Sequence, residues 1–73
     1  MTDEQLIELY HIVFSDVHSR GFMISEMKNL LFEPDYWFLQ TPKELGWYDD
    51  IIEYLDKIGY DKSNLKINPA LIL

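Results

Sequence analysis

No cysteine occurs in the sequence, and that absence constrains the fold most. Without thiols there is no disulfide framework, no thiolate zinc site and no thiol nucleophile, so the 73-residue chain must stand on side-chain packing alone. A chain about half the usual domain length makes one small domain, here 1–73. It has little room for both a substrate cavity and a scaffold around it, which argues against most enzymes. The chain has material for a core, since 48% of its residues are hydrophobic and 15% aromatic. That is too much apolar surface for a disordered acidic tail, because its burial offsets chain entropy.

Thirteen Asp and Glu against six Lys and Arg leave a formal net charge of −7. Direct binding to nucleic acid or to an anionic membrane surface is therefore not expected. No apolar run approaches the roughly 20 residues that span a bilayer. Met1-Thr2-Asp3-Glu4 also lacks the basic start of a secretory signal, so a soluble, cytoplasmic protein is expected.

Three helices can be placed. Thr2 followed by Gln5 is a capping-box pattern, and Asp3 and Glu4 suit the positive end of the helix dipole. Leu6, Tyr10, Val13 and Val17, flanked by Ile7 and Phe14, recur at helical spacing until Gly21 supplies a stop, which predicts a first helix over about 3–19. Ser25 caps a shorter second helix over 26–32, carrying Met27, Leu30 and Leu31. Periodicity does not assign the aromatic run at 35–39, which suits a helical turn and a strand equally well, and a short helical turn is expected. Thr41, Pro42 and Glu44 then repeat the helix-start logic for a long third helix with the stripe Leu45, Tyr48, Ile51, Ile52, Leu55 and Ile58, ended by Gly59. Gly46 is a point where its first turn can break off. Residues 60–73 hold Asp61, Ser63, Asn64, Asn68 and Pro69, which favour extended or irregular chain, while Leu65, Ile67, Leu71, Ile72 and Leu73 require it to dock, on the helices or on a second copy of the chain. The expected architecture is all-α, a compact three-helix domain with a short extended C-terminal tail.

Catalytic and metal-binding patterns are not found. Ser15, Asp16 and His18 are triad residue types, but as neighbours on one helical stretch they would point in different directions. His11 and His18 share a helix face with backbones roughly 10 Å apart, too far to ligate one metal. Glu8 with His11 reads as a surface carboxylate–imidazole pair. No calcium-loop spacing is present, and the glycines at 21, 46 and 59 are isolated, so no phosphate cradle forms. Glu33 and Asp35 are near neighbours without a cleft to tune them for acid–base work. A non-enzymatic protein without a cofactor or metal is expected.

The acidic residues are more informative. Asp49, Glu53 and Asp56 fall at i, i+4 and i+7, on one face opposite the apolar stripe, with Asp50 beside them. Their axial steps of roughly 5–6 Å approximate the spacing of successive DNA phosphates along a strand. Only Lys57 is close to this row in sequence, so its like charges repel, a cost that a basic partner would remove. Asp3, Glu4 and Glu8, with Glu26, Glu33 and Asp35, can extend the negative surface if the fold gathers them.

Four Phe, two Trp and five Tyr are many rings for a core of this size. Tyr36, Trp37, Phe38 and Trp47 are accordingly candidates for a partner contact or for a homodimer interface.

A short, acidic, cysteine-free, aromatic-rich helical chain of this kind resembles the host-takeover proteins of bacteriophages, several of which are DNA mimics. Lys28-Asn29-Leu30-Leu31-Phe32 looks like the Leu-Phe end of the peptide by which bacterial proteins grip the DNA sliding clamp, with Lys28 where that motif begins with Gln. The resemblance implies an inhibitor that sets a DNA-like acidic surface against a basic DNA-binding host protein, the sliding clamp with its basic channel being the most concrete target. The rival class is a regulatory adaptor or antirepressor that binds through its apolar and aromatic surface.

Overall fold

Thr2 accepts a hydrogen bond from the Gln5 N–H, while the Gln5 side chain accepts from the Thr2 N–H, which closes the predicted capping box. In the computed structural model, which describes residues 1–72, helix α1 runs from there over Asp3–Val13. It stops six residues short of the sequence expectation. Phe14 is extended, and Ser15 and Asp16 bend the chain away. Short polar side chains compete with helical backbone bonding, and a carboxylate is unfavourable at the negative end of a helix. Val17, expected on the apolar stripe, is consequently left 79% exposed.

Helix α2 spans Arg20–Phe32 and is capped by Ser19, whose hydroxyl accepts from the Phe22 N–H. The expected cap at Ser25 and the expected stop at Gly21 are both overturned, since the helix runs through both residues. Apolar residues surround much of α2. Met23, Met27, Leu30 and Leu31 are buried, and Phe22, Ile24 and Phe32 pack at the margin.

Residues 33–46 form a long connection in place of the expected turn at 35–39 and the expected helix start at Thr41. The last carbonyls of α1 explain the second correction. The Lys43 N–H donates to the Val13 carbonyl at 2.8 Å, and its ammonium donates to the His11 carbonyl at 2.9 Å. A segment recruited to satisfy another helix's free carbonyls does not start a helix of its own. Leu45, placed by sequence on the third apolar stripe, is 82% exposed.

Helix α3, Trp47–Lys57, begins just after Gly46 and buries Trp47, Ile51 and Leu55. Gly59 ends it in the left-handed region at φ 72°, where a side chain is disfavoured. The tail contains two 3₁₀ turns, Lys62–Asn64 and Pro69–Leu71. It docks, as expected of its apolar residues: the Lys66 N–H donates to the Leu31 carbonyl, Leu65 and Ile67 pack on the core, and Leu71 is buried. Leu73 lies outside the described residues. Helix α1 packs against both α2 and α3. The Cα radius of gyration is 11.2 Å, matching the roughly 11 Å of a compactly folded chain of this length.

Candidate functional site

Trp47, Ile51 and Leu55 turn inward from α3, so its 3.6-residue period carries Asp49, Glu53 and Asp56 to the outer face, where all three are exposed. Asp50 is half-buried on the flank towards α1, in a shallow groove with Ile12, Glu53, Tyr54 and Lys57. Asp49 and Asp50 occupy the first turn of α3, where negative charge complements the helix dipole. The tail modifies the row. Lys62, remote in sequence from most of it, forms an ion pair with Asp56, so Lys57 is not the only cation within reach. Four carboxylates thus stand with two ammonium groups, and the negative excess is concentrated towards the N-terminal half of α3.

The other acidic candidates are dispersed. Glu8 joins the α3 side, since it accepts a hydrogen bond from the Tyr54 hydroxyl across the α1–α3 interface. That bond and partial burial push the Tyr54 hydroxyl up to about 12, with desolvation the larger cause. Glu4 pairs with Arg20 across the α1–α2 interface, and the guanidinium holds the carboxyl below its ordinary value. Glu33 and Asp35 are exposed around the turn that follows α2. Glu26 leaves the candidate surface altogether, being 4% exposed.

The aromatic candidates also divide. Trp47 and Tyr36 are buried and Phe38 is half-buried, which leaves Trp37, at 63% exposure, as the outward member. Phe38 stands edge-to-face to Phe14, Tyr36 and Trp47, with ring centroids 5.1–5.9 Å apart. Through Phe38 the connection is laid on Phe14 of the α1 end and Trp47 of α3. The segment resembling a clamp-binding peptide is the end of α2, and its Leu30 and Leu31 are fully buried. Those leucines are core residues and cannot grip a partner in this fold.

A polar cluster seals the side of the core near the end of α1. The Tyr36 hydroxyl donates to Glu26 at 3.3 Å. With its amide nitrogen turned towards Asp16, Gln40 donates to that carboxylate and accepts from the Tyr10 hydroxyl. His18 Nε2 lies 2.6 Å from Asp16 Oδ2, and its ring lies against Phe22, tilted by 40° with centroids 4.3 Å apart. Burial pushes Glu26 above its ordinary value, opposed by the Tyr36 hydrogen bond and by the nearby His18. Desolvation likewise raises the Tyr10 and Tyr36 hydroxyls. Asp16 and His18 meet because the chain leaves the helix there. Ser15 is exposed and is not hydrogen-bonded to His18, so the three do not form a nucleophile relay. Among the described residues, no three His, Asp or Glu side chains converge to hold a metal ion. No described helix is long and apolar enough to cross a membrane.

Sequence reasoning missed one surface. Leu39 and Leu45 are 74% and 82% exposed beside an open groove lined by Phe38, Pro42, Trp47 and Leu71. The sequence carried no signal of it, because Tyr36, Trp37, Phe38 and Leu39 form one unbroken apolar run, and the alternation of Tyr36 and Phe38 inward with Trp37 and Leu39 outward is set by the fold. Comparison of the chain with protein families, with curated proteins and with solved structures finds no match, so its function is read from this geometry.

Proposed function

We propose that the chain is a non-enzymatic binding protein that offers the outer face of α3 to a basic, DNA-binding protein in place of DNA. The observation that carries this reading is the alignment of Asp49, Glu53 and Asp56, all exposed, on a helix whose opposite face is fixed in the core. A rigid row of carboxylates meets the Lys and Arg side chains of a DNA-binding channel without first having to order itself, which reduces the entropic cost of association. Asp50 and Glu8 widen the negative strip towards α1. Lys62 sits at its far end, where a partner's cations would compete with it for Asp56. The sliding clamp of bacteria, with a basic channel that encircles the duplex, is the first target to test, in keeping with the resemblance to bacteriophage host-takeover proteins.

The test is displacement of labelled duplex DNA from purified clamp by the chain at several salt concentrations. Displacement at low salt that weakens by at least ~10-fold at moderate salt supports charge-led mimicry. The Asp49→Asn, Glu53→Gln, Asp56→Asn variant should not displace the duplex. A variant that competes like the parent excludes the α3 face as the site.

A second reading is favoured by the exposure of Trp37, Leu39 and Leu45. An adaptor that held its partner through these residues would bind with little dependence on salt.

A further inference from the structure

We infer that the apolar surface formed by Trp37, Leu39 and Leu45 is the interface of a symmetric homodimer, occupied by the same surface of a second copy. Of the five large apolar side chains left exposed among the described residues, these three lie between positions 37 and 45. Tyr36 and Phe38 turn inward, so Trp37 and Leu39 lie on the outer side of the same short segment. Leu39 and Leu45 stand at the edge of the groove that Phe38, Pro42, Trp47 and Leu71 line. One surface therefore carries both projecting side chains and a recess for them, which is the self-complementarity that a two-fold contact requires.

The segment is also held ready. Lys43 anchors it to the end of α1 by two hydrogen bonds, and Phe38 fastens it to Phe14 and Trp47. Little further ordering is needed for it to bind.

Charge and area select the occupant. Residues 36–48 contain one Lys and one Glu and are neutral in a chain of net charge −7. Two such acidic bodies approach with least repulsion where neither carries excess charge, whereas a basic protein gains nothing from meeting a neutral patch. On an extended-chain reference, Trp37, Leu39 and Leu45 together expose on the order of 400 Å². A standard interface buries about 800 Å² per partner, so these three side chains supply about half of one partner's share, with the groove and its polar rim left to supply the rest. The inference is independent of what the acidic face binds.

The experiment is sedimentation equilibrium of the full chain from low micromolar to near-millimolar concentration, with the Leu39→Gln, Leu45→Gln variant alongside. The parent should show a reversible monomer–dimer equilibrium, and the variant should weaken it by at least ~100-fold, as two lost leucine contacts imply. Both leucines are exposed in the single chain, so the far-ultraviolet circular dichroism of the variant should match the parent. Fluorescence gives a second readout that needs no variant. Trp47 is buried in either state, so a concentration-dependent blue shift in emission should come from Trp37. A parent that stays monomeric throughout overturns the inference, as does a dimer that neither substitution weakens, or a monomer that uses the patch to bind a different protein.

Discussion

Glu26 shows what a single residue does to the stability of this fold. It is 4% exposed, and its carboxyl is shifted upward by burial despite the Tyr36 hydroxyl and the nearby His18. A raised value means that the native chain holds this proton more tightly than the unfolded chain. The stability it contributes is fully present below the unfolded value and is lost as pH rises through the folded one. At neutral pH the native state therefore carries the cost of a partly desolvated carboxylate. Glu26→Gln keeps an acceptor for Tyr36 and removes the charge, so it should be more stable than the parent by about 1 kcal/mol at neutral pH. The gap should close as pH falls below the ordinary glutamate range. Chemical denaturation at several pH values measures it, and a gap that does not vary with pH would contradict the assignment. Glu26 was not recognisable from sequence, because α2 carries apolar residues on nearly every side and offers no clear polar face on which to judge a lone acid. Lys43 was equally hidden. Its role depends on the end of α1 arriving beside it, a contact 32 residues distant in the chain.

At the scale of elements, two glycines separate what the sequence showed from what it concealed. Gly59 was legible as a helix stop and sits at φ 72°, where an alanine is strained. Gly21 looked like the same signal, since it follows a basic residue at the end of an apolar repeat, but it lies within α2 with open space around its Cα. The two should respond with opposite signs. Gly59→Ala should destabilise the chain by about 1 kcal/mol, and Gly21→Ala should stabilise it by about 0.5–1 kcal/mol, the helix-propensity difference. Thermal unfolding of both variants measures this, and a destabilising Gly21→Ala would return the stop to that position. The capping box at Thr2, the end of α2 at Phe32 and the apolar face Ile51–Leu55 of α3 were readable because each is encoded within a few residues. The start of α3 was legible only through Gly46, the expected break, directly after which the helix begins. Thr41, Pro42 and Glu44 satisfy the local rules for a helix start, and the carbonyls of α1 outcompete them for Lys43.

For the whole molecule, the net charge of −7 and the outward row on α3 set the behaviour. Like charges on a small body repel, so moderate salt should raise the unfolding temperature of the parent. Asp49→Asn with Glu53→Gln should stay within about 0.5 kcal/mol of the parent, since relief of like-charge repulsion offsets the loss of the Asp49 charge at the positive end of the α3 dipole. Asp56→Asn should be near neutral, because the exposed pair with Lys62 that it breaks contributes at most about 1 kcal/mol. The all-α class and the docked tail were expected from composition and spacing. The division of the acidic candidates, with Glu8 drawn to α3, Glu4 to Arg20 and Glu26 into the interior, follows from helix packing that no local pattern encodes. The central claim is that the α3 face binds a basic protein in place of DNA. Its most direct test is capture from a bacterial lysate on the immobilised parent and on the Asp49→Asn, Glu53→Gln, Asp56→Asn variant, with elution by duplex DNA and then by rising salt. The parent should release a DNA-binding protein to the duplex and at moderate salt, and the variant should capture none of it. The same protein retained by both, indifferent to DNA and salt, would contradict the account.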